Sequence, residues 1–243
     1  MQQCEPGGFN GYWHFPATVR SHIFSRHGVL LISYALLGFW KCYFAVGLIS
    51  ASLPSLLVHV HAVLFAGWLT LLMAQNAFVA SGNVAIHRKL GALMAAWAAA
   101  IVLIGPATVI MAVRRPHSGV NAGALAGDLA QTIAFAILFV TGFVRRHNGP
   151  AHKRLMTLAS AAIIGPAIIR WQLGFIQQEP PFGVLLAYLL PPLIVVIYDL
   201  ATLRRIHHAT WLGLGLMVAV LMSFSLLPLW PGWLDFTQWL QQT

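Results

Sequence analysis

The chain has 243 residues, 59% of them hydrophobic and 8% charged, and a formal net charge of +9. An ordinary soluble domain is about 25% charged, and a core of this size could not hide so many apolar residues, so a water-soluble globule is excluded. The positive charge sits in short pairs rather than along one face, the footprint of membrane topology, and nucleic acid is not expected as a partner.

Runs of about 20 apolar residues cross the hydrocarbon layer as helices, and lipid offers the backbone no outside hydrogen-bond partner. Barrel strands would alternate over about 10 residues, whereas the runs here are continuous. The expected fold is therefore all-α, a bundle of seven transmembrane helices over 29–52, 54–80, 90–113, 124–144, 153–175, 183–203 and 210–230. Residues 1–28 read as a cytoplasmic or interfacial lead-in without the apolar core and cleavage site of a signal peptide. Residues 231–243 read as an interfacial tail, since Trp prefers that depth.

Arg20, Arg26, Arg88, Lys89, Arg145, Arg146, Lys153, Arg154, Arg204 and Arg205 fall on one side of these spans, and only Arg114 and Arg115 on the other. The positive-inside bias places the amino terminus in the cytoplasm and the carboxyl terminus outside. The two cysteines, Cys4 and Cys42, make neither a disulfide framework nor a four-thiolate metal site.

His87-Arg-Lys-Leu-Gly, His152-Lys-Arg-Leu-Met and His207-His-Ala-Thr-Trp-Leu-Gly open the third, fifth and seventh spans, and Gly-Pro-Ala recurs at 105–107 and 165–167. Parallel hairpin repeats would produce this spacing, as would chance similarity among basic loop ends. Pro106 and Pro166 free the carbonyls of Val102 and Ala162, and Pro191 and Pro192 do the same in the sixth span. Those carbonyls need partners inside the bundle.

Ionisable groups within spans are costly unless paired or hydrated, so they are the main functional candidates. One cluster lies toward the outer side: Lys41, His59, His61, Asp128 and Arg170, with Glu179 in the adjacent loop. His61, Trp68 and Gln75 are spaced by seven and share a helix stripe that belongs inside the bundle. Asp128, Gln131 and Thr132 share a face of the fourth span. Simple charge pairing of Asp128 with Lys41 or Arg170 is one reading; a His–Asp site for a metal, a proton path or a polar substrate is the other.

The second cluster lies toward the cytoplasm: His87, His152, Asp199 and His208, with His207. Histidine at a helix start is an interfacial anchor, or, in such number beside an aspartate, a ligand set for haem or a transition metal such as iron, zinc or copper(II). No Cys-x-x-Cys-His, His-Glu-x-x-His, P-loop or dinucleotide Gly motif is present.

Gly38-Phe39, His59-Val-His61 with Trp68 and Gln75, His87-Arg-Lys-Leu-Gly, Gly127-Asp128, His152-Lys-Arg-Leu-Met, Arg170-Trp and Tyr198-Asp-Leu-Ala-Thr together resemble a family of uncharacterised bacterial polytopic inner-membrane proteins. The likeness runs from about residue 29 to the end. The chain is more distantly similar to membrane proteins that assemble haem-copper oxidases, although it lacks a copper-binding cysteine pair. The resemblance implies architecture more than activity. Three readings follow: a haem- or metal-handling redox or assembly protein, a transporter or channel for a small solute or proton, and a structural scaffold. All three have the lipid bilayer as partner, with room for a membrane-protein partner or a homo-oligomer.

Overall fold

The computed structural model describes residues 17–40, 55–115, 120–171 and 180–242. Among these the chain forms helices and no strand. In order they are α1 (Ala17–Phe39), α2 (Leu56–Ala80), α3 (Val84–Val113), α4 (Ala122–Val144), α5 (Gly149–Ala162), α6 (Gly165–Ile168), α7 (Pro180–Leu203), α8 (His208–Leu226) and α9 (Pro231–Gln242), with a 3-10 turn at Leu227–Leu229. Five of the helices are long and apolar enough to cross a membrane: α2, α3, α4, the Gly183–Leu203 part of α7, and α8 continued to Leu229.

One expected span is described only in part, and another takes a different form. Helix α1 begins at Ala17, inside the expected lead-in, and among the described residues its apolar stretch is Arg26–Phe39. Lys41, Cys42 and the rest of the expected first span lie outside the described residues, as do Cys4 and Glu179.

The expected fifth span, 153–175, is not one helix. Helix α5 stops at Ala162 and the four-residue α6 follows from Gly165. Pro166 has no N–H to donate and its ring crowds the carbonyl of Ala162, so the ladder stops there. Pro106 sits in the other Gly-Pro-Ala element, yet α3 continues past it to Val113. Identical tripeptides therefore end one helix and not the other.

Two of the carbonyls released by proline are met by tyrosine. Tyr188 Oη donates to the Ala162 carbonyl at 3.0 Å. Tyr34 Oη donates at 3.2 Å to the carbonyl of Ala187, one turn before Pro191. Trp171 Nε1 closes the arrangement by donating to Tyr34 O at 3.1 Å, tying the end of α6 to α1. A buried carbonyl without a partner costs about 1–3 kcal/mol, so these bonds make the kinks tolerable in an apolar setting.

Helix α4 is central, packed on α3, α5 and α8. Trp68 of α2 is fully buried against Phe135 of α4, edge to face with ring centroids 5.0 Å apart, and donates from Nε1 to Ser160 Oγ of α5 at 3.0 Å. Small residues on α5 (Ala159, Ala161, Ala162) let its neighbours approach closely. Gly127 matters for the same reason: a Cβ there would enter the Phe224 ring of α8.

The turns repeat a pattern. Gly82 takes the left-handed conformation (φ 78°) after α2, and Asn83 N donates back to Phe78 O at 2.8 Å, a Schellman closure. Asn121 and Asn148 cap α4 and α5 by accepting from Ala124 N and Ala151 N. Helix α9 folds back along the bundle, with Trp233 Nε1 donating to Ala122 O at 2.9 Å, Thr237 and Leu240 buried, and Trp239 and Phe236 exposed.

Side-chain contacts place the Arg26–Gly28 part of α1, the α2–α3 and α4–α5 turns and the α7–α8 connection at one end. An added Cβ on Gly28 would meet Met73 and Asn76, His87 meets His152, and Arg154 meets Asp199. This basic end carries Arg26, Arg88, Lys89, Arg145, Arg146, Lys153, Arg154, Arg204 and Arg205.

Candidate functional site

Two polar regions occupy opposite ends of the bundle. At the basic end, Arg154 and Asp199 form an ion pair with side chains 2% and 0% exposed. Arg154 Nε donates to Asp199 Oδ1 at 2.6 Å and Nη1 to the Pro150 carbonyl at 2.7 Å. The other carboxylate oxygen accepts from His207 N at 2.9 Å and from Thr210 Oγ1 at 2.5 Å. Tyr198 lies under the Arg154 guanidinium, 5.2 Å from its ring centroid, and its hydroxyl accepts from Lys153 Nζ at 2.7 Å. The left-handed Arg204 (φ 54°) turns the chain from α7 toward His207. This clasp locks the start of α5, the end of α7 and the start of α8 together.

His207 Nδ1 accepts from Ala209 N at 3.0 Å and so caps α8. Burial and then Arg154 hold its pKa below the ordinary 6.5, with Asp199 pulling upward. His208 is exposed, its ring centroid 6.3 Å from that of His207. His87 and His152 do come together, with centroids 6.2 Å apart.

The expected ligand set of His87, His152, Asp199 and His208 is thus divided, because Asp199 is fully engaged by Arg154, His207 and Thr210. Among the described residues no group of three or more His, Cys, Asp or Glu is placed to hold a metal ion.

The opposite region is built around the break between α5 and α6. Breaking the helix leaves Gly165 N–H without an intrahelical acceptor, and Gln131 Oε1 of α4 accepts it at 3.1 Å. Gly165 is needed there, since a Cβ would come within 2.5 Å of the same oxygen. The amide nitrogen of Gln131 then donates to Asp128 Oδ1 at 3.3 Å, and Thr132 Oγ1 donates to Asp128 O at 3.0 Å.

His61 of α2 stacks on Phe65, centroids 4.2 Å apart, and its buried Nδ1 has no hydrogen-bond partner. Gly105 of α3 joins the two sides, lying near both Phe65 and Thr132.

Arg170 is exposed, donates to the Pro166 carbonyl at 2.5 Å and lies 5.2 Å over the Phe39 ring. It is near enough for its charge to act on both His61 and Asp128, yet no ion pair joins it to Asp128 among the described residues. His59 is half-buried two residues outward on α2, about half a helical turn away. Gln75 is 5% exposed on the His61–Trp68 stripe, but it lies two helical turns beyond Trp68, beside Gly91 near the basic end. It belongs with His87 rather than with His61.

Two participants were not singled out from sequence. Arg154 looks like half of an ordinary topogenic pair with Lys153. Its clue is the register: Ala151, Leu155 and Leu158 are all buried on the same face. His27, assigned to the lead-in, is 2% exposed and shares a stripe with the buried Leu31 and Tyr34.

The chain matches no protein-family model, no curated protein and no solved structure in the comparisons made with each.

Proposed function

We propose that this is a multi-pass membrane protein that binds a small polar solute between α2, α4 and the α5–α6 break and passes it across the bilayer. The observation that carries the reading is the assembly of His61, Asp128, Gln131 and Arg170 without closure. The Asp128 carboxylate receives one long side-chain bond, His61 Nδ1 is unpartnered and buried, and the nearby guanidinium is not paired to the acid. Ionisable groups inside an apolar bundle are retained at a cost and mark solute or proton routes. A broken helix at the same level supports this, because its free backbone groups suit a polar guest.

In this reading Asp128 holds a proton or a cationic group, His61 Nδ1 exchanges a hydrogen bond with the solute, and Arg170 stands at the rim as a counter-charge. Gln131 orients the acid. The seven-span topology completes the proposal. The apolar part of α1 and the α5–α6 pair belong to the remaining two crossings, the basic end is cytoplasmic, and the membrane is the bacterial inner membrane.

The test is a thermal-shift screen of polar solutes on purified protein, followed by uptake into vesicles. A solute that stabilises the parent but not Asp128→Asn or His61→Ala supports the reading. A Soret band or a stoichiometric metal in the purified protein, lost on mutating His61, would overturn it in favour of haem or metal handling.

A further inference from the structure

At the basic end, four side chains from four helices carry polar atoms that the clasp does not use. His27 of α1 is 2% exposed with neither ring nitrogen bonded. Gln75 of α2 is 5% exposed with Oε1 unpartnered, and His87 of α3 has a buried, unpartnered Nδ1. His152 of α5 faces His87 at 6.2 Å between centroids, with rings at 81°. Buried polar groups nearly always have a partner, so a group of them without one marks a place where something binds.

The tautomer of His152 follows from its surroundings. Its Nδ1 lies 2.8 Å from the Gly142 carbonyl, which accepts only, so Nδ1 carries the hydrogen and Nε2 the lone pair. The His87 ring contacts the Gln75 backbone on one side and leaves Nδ1 open.

We propose that His87 and His152 form a two-imidazole site whose ligand is a single proton, shared through one water molecule, with Gln75 Oε1 as the adjoining acceptor. The proton comes from water at the basic end. It occupies one imidazole lone pair while the neighbouring imidazole accepts, and the Nδ1–H bond of His152 to Gly142 is kept throughout.

A second proton is opposed by the first, so the pair takes up one charge. The surroundings reinforce this limit. Arg88 acts directly on His87, and the other titratable groups at this end are Arg26 and His27 on α1, Lys89 on α3, Arg145, Arg146 and His147 after α4, Lys153 and Arg154 on α5, and Arg204, Arg205, His207 and His208 between α7 and α8. Among the described residues the carboxylate at this end, Asp199, is already neutralised by Arg154. The site is a proton relay rather than a metal centre, and it does not depend on what the opposite end binds.

The experiment is nitrogen NMR of imidazole-labelled full-length protein in lipid nanodiscs, with chelator present, from about pH 4 to 8. The expected result is a joint transition of His87 and His152 with one proton taken up by the pair. His152→Gln should then shift the midpoint of His87 by about tenfold in proton affinity or more while leaving His59 unchanged. His87→Gln read through His152 gives the converse comparison if the first variant folds poorly.

Independent titration of the two rings, uptake of two protons, or no titration would overturn the proposal. So would stoichiometric zinc binding at the pair when chelator is omitted.

Discussion

Asp199 and Asp128 each sit within a helix of the bundle and each has an arginine nearby, yet their surroundings are opposite. Asp199 receives Arg154, the His207 amide and the Thr210 hydroxyl, and no face of the carboxylate is left over. Among the described residues Asp128 receives one amide, and Arg170 spends its bond on a backbone carbonyl. A buried charge met on every side holds a structure together, whereas one met on a single side is available to something that arrives. The difference separates structural from functional candidates better than residue type does, since both are Asp–Arg combinations.

Breaking the clasp should give the largest effect. Arg154→Ala or Asp199→Asn should each lower unfolding stability by about 3–5 kcal/mol, because the remaining partner is stranded in an apolar interior. The double replacement Arg154→Met with Asp199→Leu should recover much of the loss. Denaturation in detergent measures both, and a single variant that melts like the parent would remove the clasp from the account.

The close approaches that frame the opposite region come next. Gly127→Ala must push the Phe224 ring aside, and Gly165→Ala must displace Gln131. Each should cost about 1–3 kcal/mol. Gly165→Ala should also weaken any solute response, because Gln131 orients Asp128; Gly127→Ala should leave that response closer to the parent.

Asp128→Asn sharpens the contrast directly. It should change stability by less than about 1 kcal/mol, as the acid has no salt bridge to lose, while abolishing solute-dependent stabilisation. A loss as large as that of Asp199→Asn would make Asp128 a structural residue as well.

The smallest effect is one of pH. His207 titrates below 6.5 in the folded protein, so the unfolded chain binds the proton more tightly. Stability should therefore fall as pH drops from about 6.5 to the depressed folded value and then level off. Protonation also removes the Nδ1 lone pair that caps Ala209 N. His207→Asn keeps a capping acceptor without titrating, so its melting temperature should lose this part of the pH dependence.

The sequence alone determined the all-helical class and the positions of the long apolar helices, because continuous apolar runs leave a backbone no other way to satisfy itself in lipid. It also marked the inward stripe through Trp68 and Gln75 and the prolines whose carbonyls need partners. Spacing within one helix is enough for those readings.

What it could not determine was which groups meet across helices. His87 and His152 are 65 positions apart, Arg154 and Asp199 are 45 apart, and Gln131 meets Gly165 across 34. Only the packing of α4, α5, α7 and α8 decided that Asp199 is neutralised and Asp128 is not. The same packing decided that Gly-Pro-Ala breaks the chain at 165 but not at 105, since Gln131 and Tyr188 are present to receive the released backbone at 165. Local sequence sets what a residue can do; the neighbours that tertiary structure supplies set whether that capacity is already used.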